Sequence, residues 1–352
     1  MKNIRVVVVD DSAYSRQTII KLLEGFEGIE VAGYACNGEE GIQKVIALKP
    51  DLVTLDLEMP RMDGFTLLRI LTNRFSLPVI VISAASGADK VFKALELGAL
   101  DFIAKPTRFA STELLTIRDD LRKKVLLAVL LKTSVRCRQS VTDDTSEYRR
   151  SPPGMVVQPR QVLEIVAIGT STGGPPALQR LFSSFDRPFP FAVVVAQHMP
   201  AGFTRAFAER LNRSSAFDIK EAEDGDPVLP GRVLIAPGGK NLIVEAAGGQ
   251  VSARILEPTA ADRYVPSVDV MFESCAPIYR DRLTAVILTG MGNDGSRGVR
   301  AVKEQGGYVI SESDETAVVY GMPREALATG LVDRVAPLHR IAQEILHKGD
   351  FL

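Results

Sequence analysis

The sequence predicts an α/β protein made of two doubly wound parallel sheets joined by a linker. Three observations predict it. Short apolar runs alternate with amphipathic helical patterns along both halves of the chain. The alternation stops at a polar stretch, Ser134–Arg150, followed by Ser151-Pro152-Pro153-Gly154, which would interrupt any regular element. In the second half, Gly248-Gly249 joins two strand-like runs, so a β-hairpin is inserted there.

In the first half the strand candidates are Ile4–Val9, Ile29–Tyr34, Leu52–Leu55, Val79–Ile82 and Phe102–Ala104. Helical patterns lie between them at Ser12–Glu24, Gly38–Leu48, Asp63–Asn73 and Lys90–Leu97. Leu114, Leu115, Leu121, Val125 and Leu126 recur at roughly helical spacing in Thr112–Thr133, which predicts a closing helix. The expected division is a domain over 1–125, a linker over 126–159 and a second domain over 160–348. Strand candidates of the second domain are Leu163–Ile168, Phe191–Ala196, Arg232–Ala236, Ala285–Thr289 and Tyr308–Ser311, with Asn241–Val244 and Gln250–Ile255 as the hairpin.

Size and composition narrow the function. The 352 residues suffice for two domains, and an apolar fraction of 46% supports real cores. A formal net charge of −1 gives no global field for nucleic acid or an anionic membrane. The cysteines, Cys36, Cys137 and Cys275, are scattered, which offers no disulfide or metal framework and suits a reducing compartment. The apolar run Val6–Val9 is too short for a signal-peptide core, and no stretch reaches the length of a membrane span. The expected location is the cytoplasm.

Chemistry concentrates at the predicted strand ends, which a parallel sheet gathers along one edge. In the first domain these ends carry Asp10 and Asp11, Asp56, Ser83 and Lys105. A lone aspartate there is usually a helix N-cap, and Asp11 before Ser12–Glu24 fits that role. Five matching positions argue otherwise. Three converging carboxylates need a hard cation such as Mg²⁺, and metal and lysine together stabilise charge as a phosphoryl group transfers to a carboxylate. On these residues, 1–125 resembles a response-regulator receiver domain, which has a flavodoxin-like fold. The resemblance implies that Asp56 is phosphorylated and that Asp10, Asp11, Asp56 and the Glu58 backbone carbonyl hold Mg²⁺. It further implies that Ser83 and Phe102 are switch residues, that Lys105 pairs with the phosphoryl group, and that a histidine kinase is the donor.

The second domain places a serine, a histidine and an aspartate just past three apolar runs. Gly169-Thr170-Ser171-Thr172-Gly173 has the spacing of a nucleophile elbow, a weak pattern by itself. Of the three histidines, His198 alone follows a strand of this half. Gly290-Met291-Gly292-Asn293-Asp294-Gly295 supplies an acid. Its glycine spacing also fits a dinucleotide fingerprint, with Glu312 near the usual ribose-binding position. Against that reading, Asp294 would put a carboxylate where a pyrophosphate should sit, and Ser171 and His198 would have no work. The order Ser171, His198, Asp294 differs from that of α/β-hydrolases and of the familiar serine proteases, so the constellation is a separate solution.

Residues 160–348 resemble the catalytic domain of the chemotaxis protein-glutamate methylesterases. The resemblance rests on Ile168–Pro175, Ala196–Leu211, Ile235–Gly239, Pro266–Phe272, Leu288–Gly295 and Tyr320–Ala326. It implies Ser171 as nucleophile, His198 as base, Asp294 as orienting acid, a Met291 backbone N–H in the oxyanion hole, and Thr172 lining the pocket. It also implies glutaminase activity, a methyl-accepting chemoreceptor as substrate, and no metal in this half. One departure stands out: where the family often has histidine, this chain reads Lys240-Asn241, outside the triad. The competing readings are a receiver-controlled esterase acting on a non-chemotaxis receptor or another ester, a general serine peptidase or lipase, and a nucleotide-binding module using Gly290–Gly295. A DNA-binding output lacks an evident basic recognition helix.

Overall fold

The computed structural model describes residues 3–84, 87–105, 117–128 and 164–351. The chain forms two compact units. The first has strands β1 (Ile4–Val9), β2 (Ile29–Ala35), β3 (Leu52–Asp56), β4 (Val79–Ser83) and β5 (Asp101–Ala104), all parallel, in the order β2-β1-β3-β4-β5. Strands β3 and β4 are buried along their whole length, which is why they read as unbroken apolar runs rather than alternating ones. The helices are α1 (Ala13–Glu24), α2 (Gly38–Leu48), α3 (Gly64–Phe75), α4 (Ala88–Glu96) and α5 (117–128).

Local chemistry sets the helix starts. Ser12, not Asp11, is the N-cap of α1, accepting from the Ser15 N–H; Asn37 and Asp63 cap α2 and α3 in the same way. The capping role weighed for Asp11 is therefore filled by its neighbour, and Asp11 is exposed. The predicted closing helix is present as α5, which runs through residue 128; the rest of Thr112–Thr133, and the predicted linker beyond residue 128, lie outside the described residues.

The second unit holds a seven-stranded, all-parallel sheet in the order β14-β13-β12-β6-β7-β9-β8. Its strands are β6 (Ile165–Thr170), β7 (Ala192–Gln197), β8 (Asp218–Glu221), β9 (Arg232–Ile235), β12 (Leu283–Ile287), β13 (Tyr308–Glu312) and β14 (Arg334–Ala336). The predicted hairpin is present as β10 (Asn241–Ala247) and β11 (Gln250–Leu256), paired antiparallel. Two strands were not anticipated, β8 and β14. Both are short, polar edge strands with little buried surface, so neither carries an apolar run. The helices are α6 (Gly174–Ser183), α7 (Thr204–Arg213), α8 (Val268–Tyr279), α9 (Ser296–Glu304), α10 (Met322–Ala328) and α11 (Leu338–Lys348). The order reverses between β12 and β6, and an α/β sheet opens its ligand crevice at such a point.

Candidate active site

Strands β12, β6 and β7 are neighbours, and each delivers one element of the predicted site at its carboxyl end. Ser171 follows β6. Its N–H donates to the Thr289 carbonyl at 3.0 Å, and its own carbonyl accepts from the Gly174 N–H that opens α6. The two glycines of the elbow do different jobs. Gly173 has φ +80° and makes the turn into α6, whereas Gly169 lies in the strand, where a Cβ would meet Val268 Cγ1 at 2.2 Å. The tight turn was legible in the spacing; the close approach of α8 to β6 was not.

His198 follows β7, and its Nε2 lies 2.8 Å from Asp294 Oδ2. Nδ1 is therefore the ring nitrogen left to act as a base. The Gln197 amide holds both neighbouring backbones, donating at 3.0 Å to the Ser171 carbonyl and at 3.0 Å to the His198 carbonyl. Among the described residues the Ser171 hydroxyl makes no hydrogen bond. In unliganded enzymes a nucleophile–base bond is often loose and tightens when substrate binds.

Asp294 is 2% exposed and carries the densest set of contacts. Its carboxylate accepts from Val268 N–H (2.7 Å), Asp269 N–H (3.0 Å), Gly295 N–H (3.1 Å) and Ser267 Oγ (3.1 Å). Burial pushes its pKa up. The bond from His198, the charge of that ring, and the N–H groups of Asp269 and Val268 outweigh burial, and the net direction is down. The acid thus stays ionised at the N-terminus of α8, where the helix dipole favours a negative charge.

Several residues of the site escaped the sequence reading. Ser267 caps α8 and donates to Asp294, a role that a serine ahead of a periodic apolar run could have signalled. Asn241, at the family departure, accepts from the Ser267 N–H at 2.8 Å, so that position is one residue removed from the acid rather than peripheral. Tyr264 stacks on the His198 ring. Thr289 joins the two loops: its hydroxyl donates to the Thr172 carbonyl at 2.9 Å and accepts from the Val319 N–H at 2.9 Å. Thr172 itself is buried at this junction. Glu312, considered as a ribose ligand, is 0% exposed and accepts from the Thr289 N–H at 2.8 Å, so it faces the interior and not a nucleotide. The Met291 N–H has no hydrogen-bond partner among the described residues, which leaves it available to an oxyanion.

In the first unit, β1 and β3 pair so that Asp10 and Asp56 stand side by side. One oxygen from each of Asp10, Asp11 and Asp56 lies within 4.8 Å of the others, an all-oxygen donor set of the kind that suits a hard divalent cation. Lys105 Nζ lies 2.5 Å from Asp56 Oδ2 and 3.4 Å from Asp10 Oδ2. Burial pushes the Asp56 carboxyl up and is only partly offset by Lys105. Burial also disfavours the Lys105 ammonium, but its bond to Asp56 and the Asp10 charge raise its pKa above the ordinary lysine value. Ser83 is buried and its carbonyl accepts from the Lys105 N–H. Phe102 is buried, with Lys124 Nζ 5.3 Å from its ring centroid. Glu58 is exposed, and its N–H donates to Asp56 Oδ1 at 3.3 Å.

Two family models match the chain: the response regulator receiver domain over residues 6–117 and the CheB methylesterase over residues 166–345. A protein-glutamate methylesterase/protein-glutamine glutaminase of Geobacter sulfurreducens is 55% identical over all of this chain and 99% of its own length. This chain belongs to the CheB methylesterase family. A homologue of the same description from Myxococcus xanthus is 47% identical over 95% of this chain and 94% of its own. The catalytic domain of the Thermotoga maritima CheB methylesterase superposes with a TM-score of 0.51 at 43% identity, covering 53% of this chain and 98% of that one. The chain joins a receiver to a methylesterase domain.

Proposed function

We propose that this protein is a phosphorylation-activated protein-glutamate methylesterase and protein-glutamine glutaminase, acting on a methyl-accepting chemoreceptor. The observation that carries the reading is the 2.8 Å His198–Asp294 pair, set beside Ser171 on adjoining strand ends. His198 Nδ1 takes the Ser171 proton as Oγ attacks the γ-carbonyl of a glutamyl methyl ester. The tetrahedral oxyanion is held by backbone donors, the Met291 N–H among them. His198 then returns its proton to the leaving methoxide, and methanol departs. Water, deprotonated by the same ring, cleaves the acyl-enzyme to glutamate. With a glutamine side chain the same steps expel ammonia. Asp294 stays ionised throughout and stabilises the imidazolium that forms twice per turnover. Thr172 lines the pocket beside the nucleophile.

Control lies in the receiver. A histidine kinase phosphorylates Asp56; Asp10, Asp11, Asp56 and the Glu58 carbonyl would hold Mg²⁺, which when bound would supply neutralisation of charge on the transferring phosphoryl group. Phosphorylation adds about −1.5 to −2 charge. Lys105 and Ser83 meet the new oxygens and Phe102 responds. We assign the receiver to 1–125, the linker to 126–159 and the catalytic domain to 160–348, and place the protein in the cytoplasm. Among the described residues no helix is long and apolar enough to cross a membrane.

The test is methanol release from receptor membranes carrying methylated glutamates, with wild type and Ser171→Ala, before and after a small phosphodonor and Mg²⁺. Release that needs Ser171 and rises with phosphorylation supports site and switch together. No release from wild type with a phosphorylated receiver would sink the substrate assignment and return another ester to first place.

A further inference from the structure

Tyr264 is a half-buried aromatic on the segment leading into α8, outside the triad. Its ring lies over the His198 imidazole with centroids 5.1 Å apart and planes within 6° of parallel. Its hydroxyl donates to Asn293 Oδ1 at 3.3 Å, on the residue next to Asp294. The same hydroxyl lies against Gly292, where a Cβ would approach it to 2.4 Å. One side chain therefore touches the base and the turn that carries both Met291 and Asp294. A surface tyrosine filling space would not need both a parallel stack on the base and a bond to the neighbour of the acid.

The hydrogen bond from Nε2 to Asp294 fixes one point of the imidazole and leaves the ring free to rotate about that contact. A flat aromatic neighbour removes that freedom, and offset stacking at this separation is favourable. The same face attracts positive charge, so it favours the imidazolium of the proton-transfer steps. We propose that Tyr264 is a positioning residue for the reaction: its ring sets the plane of His198 so that Nδ1 meets the nucleophile, and its hydroxyl ties that plane to the Gly292–Asn293 turn. This rests on the Ser171–His198–Asp294 reading.

The experiment compares full-length wild type, Tyr264→Phe, Tyr264→Leu and Ser171→Ala. Two readouts are used: steady-state methanol release from methylated receptor membranes, and the rate at which a fluorophosphonate probe labels Ser171. Loss of the stack in Tyr264→Leu should lower kcat about tenfold with KM within about twofold, and slow probe labelling by a similar factor. Tyr264→Phe keeps the stack and should stay within about threefold of wild type. A Tyr264→Leu enzyme with unchanged kcat overturns the proposal, as does one whose only change is in KM. Equal losses in the Phe and Leu enzymes overturn the role of the stack. Thermal melts of both variants separate these results from unfolding. If Ser171→Ala remains active, the triad reading itself fails and this proposal falls with it; if Ser171→Ala is dead and Tyr264→Leu is not, only the proposal fails.

Discussion

Asp294 and Asp269 cap each other's helices. The Asp294 carboxylate accepts from the Val268 and Asp269 N–H groups at the start of α8, while Asp269 Oδ1 accepts from the Gly295 N–H at 2.9 Å and the Gly298 N–H at 2.7 Å at the start of α9. Asp294 is thus one half of a reciprocal clasp between two helices. A close glycine contact helps to bring them together, since a Cβ on Gly298 would meet Phe272 Cβ at 2.6 Å.

Breaking the other half of the clasp should therefore be felt at the active site. Asp269→Ala leaves the Gly298 N–H unpaired and the Gly295 N–H with Asp294 alone, and is expected to cost about 1–2 kcal/mol of stability. It should also lower kcat several-fold, because the turn bearing Asp294 loosens. Asp269→Asn, which keeps an acceptor, should recover most of both. Chemical denaturation and methanol release measure the two effects, and a stable Asp269→Ala enzyme with wild-type kcat would contradict the coupling.

Asp294 also links acidity to stability. Its folded pKa lies below its ordinary value, so its contribution is present above the ordinary carboxylate range and is lost as pH falls through the folded value. Asp294→Asn should abolish that part of the acid sensitivity and lower kcat by about 10⁴, as removal of the charge does in a well-studied triad. Urea midpoints of wild type and variant should converge as the pH is lowered. Curves that stay parallel down to the unfolding pH would refute the linkage.

Glu312 has the opposite sign. Burial raises its pKa, against the bonds from Thr289 and Thr316, so the folded state binds the proton more tightly than the unfolded chain. Its effect on stability is unfavourable as pH rises from about 4.5 to the folded value, and constant beyond it. Glu312→Gln should then be at least as stable as wild type at neutral pH, with no gain below pH of about 4.5, and should keep its activity. Glu312→Leu strands the Thr289 N–H, costing about 1–3 kcal/mol, and should lower kcat because Thr289 holds both Ser171 and Thr172. Melting temperature against pH, with kcat at neutral pH, tests both.

Asn241 binds the Ser267 N–H and reaches Asp262 Oδ2 at 3.2 Å. Asn241→Ala leaves the buried N–H of Ser267, the residue that caps α8, unpaired. It should destabilise the enzyme by about 1–3 kcal/mol and lower kcat modestly, with KM little changed. An unchanged denaturation midpoint would show that the site tolerates the loss.

Phosphorylation dependence should disappear in Asp56→Asn. Basal methanol release should persist, and addition of phosphodonor and Mg²⁺ should leave it unchanged. Stimulation of the variant by the phosphodonor would place the acceptor elsewhere.

Much of this architecture was legible in the chain because buried parallel strands announce themselves as apolar runs. β1 was read to the residue, and β3, β4 and β6 to within a residue or two. The edge strands β8 and β14 were not, since strands facing solvent carry no such run. Ser171, His198 and Asp294 could be singled out as candidates because each follows a central strand. Tyr264, Ser267, Asn241 and Glu312 were missed or given another role because their partners are distant in sequence. Asp262 through Asp269 reach the site only when α8 docks against β6, a long-range event that no local pattern encodes.

Gln197 and His198 occupy consecutive positions and do opposite things, one bracing the backbone and the other facing the acid. Their division of labour depends on register: Thr170 pairs with Gln197, and the His198 N–H closes on the Thr170 carbonyl. Neighbouring strands lie about 4.8 Å apart, so the sheet itself acts as the ruler that spaces Ser171, His198 and Asp294. Were β7 to slip by a single residue along β6, the imidazole would turn to the other face and the amide would stand where the base should be.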